Sequence, residues 1–220
     1  MPGRRAIPRQ LTASSRTQAA RSTWRNGFVK HRVDRPVAVG PLGLDGDAQA
    51  DLTVHGGPEK AVYGYPAAHL HAWAADYPEH RDLFVPGGVG ENLTIAGWTE
   101  TDVCVGDIHA IGSARLQVCQ PRQPCAKFTI RFGDNRLAKA MVGNGRAGWY
   151  YRVLAPGTIR AGDSVALVDR PNPGFAFERL VEIVNFQGAT DVELRAMAEM
   201  AGLASRLRDA ARRHLVDQSG

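Results

Sequence analysis

A chain of 220 residues, of which 44% are hydrophobic and 22% are charged, has the composition of an ordinary globular protein with one substantial domain. It contains no apolar run of roughly 18 residues and no apolar segment near its N-terminus, so we expect neither a membrane span nor a secretory signal. Its three cysteines cannot form a fully paired disulfide framework, which favours a reducing, cytoplasmic location.

The positive charge is concentrated in an N-terminal arm, residues 1–23, and just beyond it. Residues 1–33 contain eight Arg or Lys residues and no Asp or Glu, whereas the rest of the chain carries 19 basic and 22 acidic residues. Such an arm is compatible with an organelle-targeting peptide, a nucleic-acid-binding arm or simply a basic terminus. We favour the last of these and expect no stable nucleic-acid partner.

From residue 24 to residue 170, short apolar runs alternate with Gly, Pro, Asp and Asn. This pattern predicts a mainly β domain, built as a β-barrel rather than as a parallel α/β sheet, with a few helices. Helices are predicted over Pro66–Tyr77 and Arg136–Val142 from apolar residues at helical spacing. The predicted strands are Arg35–Val39, Ala61–Tyr65, Asn92–Ile95, His109–Ile111, Arg115–Gln120, Tyr150–Leu154 and Ser164–Val168.

A small C-terminal helical unit, residues 175–220, is predicted to follow a stretch rich in Pro and Gly at residues 171–174. Thr190 and Glu193 have the spacing of a helix capping box, and an apolar stripe follows them. A further, basic helix is predicted over Ala204–Leu215. Because its apolar stripe is narrow, we expect it to pack on the barrel rather than to bind a membrane surface.

Several Gly-rich and charged segments carry the candidate chemistry. Glycine allows the backbone to approach a ligand and to offer its N–H groups, and the nearby cations suit a phosphate or another anion. The cations are His55, Lys60, Arg122 and Lys127. The segments are residues 43–47 (GLDGD), 55–61 (HGGPEKA), 87–93 (GGVGENL), 105–107 (VGD) and 120–127 (QPRQPCAK).

Cys125 is the candidate reactive thiol. Arg122 and Lys127 flank it in sequence, and nearby positive charge favours a thiolate. No second Cys or His lies at the spacing of a zinc site. The residue types alone leave three roles open, namely a nucleophile, a thiolate ligand of a metal and a sulfur carrier. Cys104 and Cys119 are expected to be buried structural thiols.

The ordered set of these five segments resembles the MOSC domain, the C-terminal domain of molybdenum cofactor sulfurases, over residues 24–170. The C-terminal helices resemble the tail of the stand-alone, YiiM-type members of that family. The resemblance implies a β-barrel, a molybdenum–pterin cofactor (molybdopterin) and Cys125 as the metal ligand. It also implies reduction of N-hydroxylated compounds, including N-hydroxylated purines and amidoximes, with electrons from a separate flavin or iron–sulfur protein.

Combined with residue types, the resemblance also implies the roles of individual residues. The cations near the glycines would hold the phosphate and polar edges of the cofactor, and the backbone of residues 87–90 would face the pterin. Glu91 would contact the pterin or shuttle protons, and Asp134 would line the substrate entrance. The predicted cofactor-binding residues are His55, Gly56, Gly57, Lys60, Gly90, Asn92, Gln120, Arg122 and Lys127, and the predicted catalytic residues are Cys125, Glu91 and Asp134.

Two other functions remain open at this stage. Cys125 could carry a persulfide and pass its sulfur to a metal centre, or the chain could carry the molybdenum cofactor without turnover. We expect no aminotransferase-like domain here, so pyridoxal phosphate belongs to the sulfurase relatives only, and this weakens the sulfur-carrier hypothesis. The oligomeric state is also open, with a homodimer as one option.

Overall fold

A computed structural model of the chain describes residues 11–15, 28, 30–47 and 56–217. Within these residues it contains eleven strands and six α-helices. The strands are β1 Leu11–Ser15, β2 His31–Arg32, β3 Val37–Gly40, β4 Gly43–Leu44, β5 Val62–Pro66, β6 Leu93–Ile95, β7 Ile108–Ile111, β8 Ala114–Pro121, β9 Trp149–Ala155, β10 Gly157–Ile159 and β11 Val165–Asp169. The helices are α1 Ala67–Asp76, α2 Ala126–Phe132, α3 Asn135–Asn144, α4 Phe177–Phe186, α5 Asp191–Glu199 and α6 Ser205–Asp217.

The strands form one large curled sheet and one small sheet. The large sheet has the order β11-β7-β8-β9-β5-β6-β1-β2, and the small sheet has the order β10-β3-β4. Among the described pairs, β5 and β6 are parallel, with Gly64 opposite Leu93, while the other neighbours are antiparallel. This architecture confirms the predicted mainly β, barrel-type fold with a few helices.

Two apolar clusters support the sheet. The larger one joins the barrel strands to the C-terminal helices and includes Leu116, Trp149, Phe177 and Met197. The amide of Ala204, which precedes α6, donates a hydrogen bond of 2.9 Å to the carbonyl of Cys119 on β8. The C-terminal helices therefore pack on the barrel, as the narrow apolar stripe predicted.

The second cluster lies where β5, α1, α2 and α3 meet. It is rich in aromatic side chains, among them Tyr63, Tyr65, Trp73, Phe128 and Phe132. The indole Nε1 of Trp73 donates to the Tyr65 hydroxyl at 2.7 Å, so the polar atoms of these rings are also satisfied inside the cluster. This cluster supports the segment that carries Cys125.

The predicted elements agree with the structure to within two residues at their ends for all seven strands. The helix predicted over Pro66–Tyr77 is α1, and the one predicted over Arg136–Val142 is α3. The capping box is present, because Thr190 Oγ1 accepts from the amide of Glu193 and the Glu193 carboxylate accepts from the amide of Thr190 at 2.7 Å. The short helix α2 was not predicted.

Across the part of the chain that the structure covers, we find no helix whose length and hydropathy suffice for crossing a bilayer. Of the predicted basic arm, residues 1–23, only β1 is among the described residues.

Candidate active site

Cys125 lies at the junction between β8 and α2. It is the residue that precedes the helix, with an extended backbone at φ −126° and ψ 168°. Its carbonyl accepts a 2.9 Å hydrogen bond from the amide of Phe128, but its side chain makes no capping hydrogen bond. The thiol is partly exposed. The local fold therefore presents Sγ at the start of α2 without using it for capping.

The guanidinium of Arg122 lies next to this thiol. Its Nη2 is 3.7 Å from Cys125 Sγ, and its Nη1 is 3.4 Å from the carbonyl oxygen of Val89. The group is buried and lies over two rings, 5.2 Å from the centroid of Phe28 and 4.8 Å from that of Tyr63. Aromatic faces stabilise a desolvated cation. The structure thus brings together the thiol and one of the two cations that flank it in sequence.

Lys127, the other flanking cation, lies in the first turn of α2 and is partly buried. Within the described residues, no hydrogen bond or ion pair joins it to Cys125. The two cations are therefore not equivalent, although the sequence places both within three residues of the thiol.

Glu91 organises the glycine-rich loop that precedes β6. The side chain is fully buried, and its carboxylate accepts hydrogen bonds from Gly87 N at 2.7 Å, Val89 N at 3.2 Å and Thr94 Oγ1 at 2.8 Å. Burial raises the pKa of Glu91 above its ordinary value, and these hydrogen bonds oppose the rise. These bonds join the loop to β6, and contact between Glu91 and a cofactor or a transferred proton stays a prediction.

Gly90 brings this loop close to the aromatic pair beneath Arg122. Its φ is +89°, a conformation that side chains disfavour, and a Cβ at this position would lie 3.1 Å from the ring of Phe28. A larger residue would therefore push the loop away from the ring on which the guanidinium of Arg122 lies.

Asn92 is also held inside the fold. Its Oδ1 accepts from the amide of Tyr63 at 2.8 Å, and its Nδ2 donates to the carboxylate of Asp47. That carboxylate forms a buried ion pair of 2.8 Å with Lys30. Burial lowers the pKa of Lys30, while Asp47 opposes the shift. Contact between Asn92 and a cofactor remains a prediction, because these bonds tie the side chain to β5 and to the 43–47 motif.

A cavity of about 520 Å³ opens where several of the predicted binding residues meet. Gln120 is buried beside it and donates from Nε2 to the carbonyl of Glu59 at 2.9 Å. Burial lowers the pKa of Lys60, and the charges of Arg206 and Arg122 lower it further. The cavity is lined by Gly56, Gly57, Pro58, Glu59, Lys60, Gln120, Arg152, Ser205 and Arg206.

Glu59 connects this cavity to the C-terminal helices. Its Oε1 lies 2.6 Å from Nη2 of Arg152, and both carboxylate oxygens accept from the amide of Ser205 at 3.0 Å. Sequence reasoning missed Arg152, Ser205 and Arg206 as site residues. No local motif marks them, since Glu59 and Ser205 are 146 positions apart and meet only through the tertiary fold.

Asp134 is the residue that precedes α3 and caps it, and its predicted catalytic role stays a prediction. Its Oδ1 accepts from the amide of Arg136 at 2.9 Å, and its Oδ2 pairs with the Arg136 guanidinium at 2.7 Å and with His80 Nε2 at 3.2 Å. These bonds to Arg136 hold the pKa of Asp134 well below its ordinary value. The described contacts of Asp134 account for its position through helix capping, and none of them involves Cys125. His55 lies outside the described residues.

The other two cysteines are buried, as predicted. Cys119 donates to the carbonyl of Glu59 at 3.0 Å, and burial raises the pKa of its thiol to about 12. Cys104 lies near the carbonyl of Pro173, with 3.9 Å between Sγ and the oxygen. Because none of the three described cysteines is in a disulfide and two are buried, Cys125 is the thiol that solvent and ligands reach.

Comparison with known proteins gives a family match and several relatives. Residues 51–166 match the MOSC domain family. Protein YiiM of Escherichia coli (strain K12) is 43% identical over 145 residues, which is 66% of this chain and 65% of that protein. A protein named Reductase from Gibberella moniliformis (strain M3125 / FGSC 7600) is 37% identical over 179 residues, which is 81% of this chain and 31% of that protein.

A solved structure extends the match to nearly the whole chain. The crystal structure of YiiM from Escherichia coli is 29% identical and superposes with a TM-score of 0.81, covering 97% of this chain and 94% of that one. The superposition therefore includes both the barrel and the C-terminal helices. By sequence, however, this chain spans less than two thirds of the two curated relatives, at 65% and 31% of their lengths.

Proposed function

The chain belongs to the MOSC domain family, and from this premise we propose that it is a reductase that binds a molybdenum–pterin cofactor through the Cys125 thiolate. One observation carries the proposal: a partly exposed thiol, not used for capping, lies 3.7 Å from a buried guanidinium. Positive charge favours the thiolate form, and thiolates are ligands for soft metal centres. The relative named Reductase supports a redox role.

The residues present fit such a cofactor. Lys60 and Gln120 line the cavity of about 520 Å³, and Gly57 adopts φ +92° with no atom within 4 Å of a Cβ placed on it, so its backbone is open to a ligand. Cations and exposed backbone N–H groups are what a pterin phosphate requires. We infer that Lys60 and Arg122, with His55 from outside the described residues, hold the phosphate and polar edges of the cofactor.

When bound, the cofactor would supply two-electron chemistry in which an N-hydroxyl group takes up two electrons and two protons and becomes N–H and water. Cys125 would present its Sγ to the metal, and Arg122 would compensate the charge of the thiolate. Glu91 would keep the loop at residues 87–90 in place. We propose N-hydroxylated purines and amidoximes as the substrate class, with both electrons supplied by a separate flavin or iron–sulfur protein.

Metal analysis of two variants tests the ligand assignment. Purified from a host that makes the cofactor, the wild type should contain molybdenum and reduce benzamidoxime to benzamidine with reduced methyl viologen. Cys125→Ala should lose both, because the metal loses its protein ligand. Cys119→Ser, the matched control in the same strand-to-helix region, should retain both.

Each contrary result identifies a specific error. Molybdenum retained in Cys125→Ala would refute the ligand assignment. Molybdenum in the wild type without turnover would indicate a cofactor carrier. A persulfide on Cys125 without molybdenum, seen by mass spectrometry of the intact protein, would indicate a sulfur carrier.

A further inference from the structure

The cavity beside Lys60 is built from two distant parts of the chain. The segment at residues 56–60 and Gln120 form its barrel side, whereas Ser205 and Arg206 bring the first turn of α6 to its other side. The C-terminal helices are thus part of the wall of this cavity and not only a cover for the apolar core.

The charge of this wall is unbalanced. Among the residues that line the cavity, Lys60, Arg152 and Arg206 are cationic and Glu59 is the one carboxylate, which leaves a net charge of +2. The Glu59 carboxylate is already bound by the Arg152 guanidinium at 2.6 Å and by Ser205. Lys60 and Arg206 are the cations of this wall that lie outside the Glu59–Arg152 pair, and their charges are close enough to influence each other.

We propose that Arg206 is a cofactor-binding residue, and that its guanidinium and the Lys60 ammonium together bind the terminal phosphate monoester of the cofactor. A phosphate monoester carries a charge of about −2 near neutral pH, which matches the excess on the cavity wall. A guanidinium can also bind two phosphate oxygens at once, whereas an ammonium acts as a point charge. The identity of the ligand rests on the proposed function, but the binding of a phosphate monoester does not.

Glu59 is the positioning residue of this arrangement. Its carboxylate accepts from both the amide and the Oγ of Ser205 at 3.0 Å, and so fixes the start of α6 to the segment that carries Lys60. Arg206, next to Ser205, is thereby held at the edge of the cavity. The consequence is that the barrel strands and the segment at residues 56–60 lack one wall of this anion site without the C-terminal helices.

Phosphate titration of the cofactor-free full-length protein tests the anion site by itself. Inorganic phosphate is the probe, and isothermal titration calorimetry gives its affinity. Arg206→Gln should weaken binding about tenfold, the loss of one charge-assisted contact, and Arg206→Lys should restore part of it. Arg213→Gln is the control, because Arg213 is exposed on the same helix and lines a neighbouring groove but not this cavity, whereas Arg206 lines both.

The cofactor content of protein from a cofactor-producing host tests the identity of the ligand. Molybdenum and released pterin per chain should fall in Arg206→Gln and remain at the wild-type level in Arg213→Gln. Thermal melting of each variant establishes that it is folded. Since Arg206 is exposed, its replacement should leave the melting temperature within the range of the control.

The outcomes separate this inference from the proposed function. A loaded wild type, together with an Arg206→Gln variant that matches it in phosphate affinity and cofactor content, overturns the inference and leaves the proposed function intact. A wild type without molybdenum or pterin whose phosphate affinity depends on Arg206 overturns the proposed function and supports the anion site. Reduced phosphate affinity with unchanged cofactor content overturns the assignment of the cofactor phosphate as the ligand.

Discussion

Replacing Arg122 with methionine removes the guanidinium beside Cys125 while keeping an unbranched side chain over the rings of Phe28 and Tyr63. The cation lies 3.7 Å from Sγ. Two unit charges at about this distance interact by about 1 kcal/mol in water and about 4 kcal/mol at an effective dielectric constant of about 20. Because Cys125 is only partly buried, we take about 1–2 kcal/mol as the interaction lost between the guanidinium and a negatively charged Sγ, which corresponds to a factor of about 5 to 30.

The rate of alkylation by iodoacetamide at neutral pH measures this loss, since a negatively charged sulfur is the reacting form. Cys119 should not contribute, because it is fully buried and burial raises the pKa of its thiol to about 12. We expect Arg122→Met to slow the reaction about 5- to 30-fold and Lys127→Gln to slow it less than about twofold, as a cation without a direct contact is screened by water. Cys125→Ser gives the background.

Equal rates for Arg122→Met and the wild type, with the near-UV circular dichroism unchanged, would refute the role of the guanidinium. A larger effect of Lys127→Gln than of Arg122→Met would show that the helix residue, and not the buried arginine, stabilises the thiolate. Either result would mean that the short distance between Cys125 and Arg122 does not support the proposed ligand role of Cys125.

Two other replacements test the packing and the charges that hold the loops of the site. Gly88→Ala places a Cβ against the carbonyl oxygen of Leu83 and 2.7 Å from that of Val85, so urea denaturation should show a loss of stability of roughly 1–3 kcal/mol. An unchanged stability would contradict these close approaches. Although burial raises it, the nearby His109 ring, 3.9 Å away, and hydrogen bonds donated by Arg170 and by the amide of Cys104 hold the pKa of Asp107 below its ordinary value. Its stabilising effect is present above about pH 4 and is lost as acid protonates it, so Asp107→Asn should lower stability at neutral pH and flatten the acid dependence.

The strands were predictable because their signal is local. In β3, for example, Val37 and Val39 are buried and Ala38 is exposed, which is the alternation expected of a strand with one buried face. Gly, Pro or Asp flank these runs. These residues interrupt strands because proline lacks the amide donor of a sheet hydrogen bond and glycine and aspartate favour turns. Family resemblance and local pattern therefore led to the same barrel.

Helix α2 was missed because its start carries no familiar signal. Cysteine is not among the residues that cap helices well, and the helix has only seven residues. The end of the helix, in contrast, carries a recognisable sequence pattern, because Phe128 and Phe132 are spaced by about one helical turn and Gly133 follows them. In the structure Gly133 has φ +64°, the conformation that ends many helices. That pair, followed by glycine, was the available evidence for a helix directly after Cys125.

The site itself was predictable where its residues are neighbours in sequence and not where they are distant. Arg122 is three positions from Cys125, so a loop brings them together. Glu91 and Asn92 were expected to face a ligand, and this stays a prediction. In the structure both also accept from buried amides, Glu91 from the glycine-rich loop and Asn92 from Tyr63 on β5. Polar residues beside glycines can therefore stabilise the fold in addition to any contact with a ligand.

Arg122 is a buried cation that lies beside the sulfur of Cys125. Burying a guanidinium is costly unless its charge is compensated, and its described partners are two ring faces, the carbonyl of Val89 and the thiol. The rings and the carbonyl are neutral, so a negatively charged Sγ, as in the proposed metal-bound cysteine, would compensate the guanidinium best. Because such coupling is reciprocal, the buried arginine would stabilise that negative sulfur as much as the sulfur stabilises the arginine.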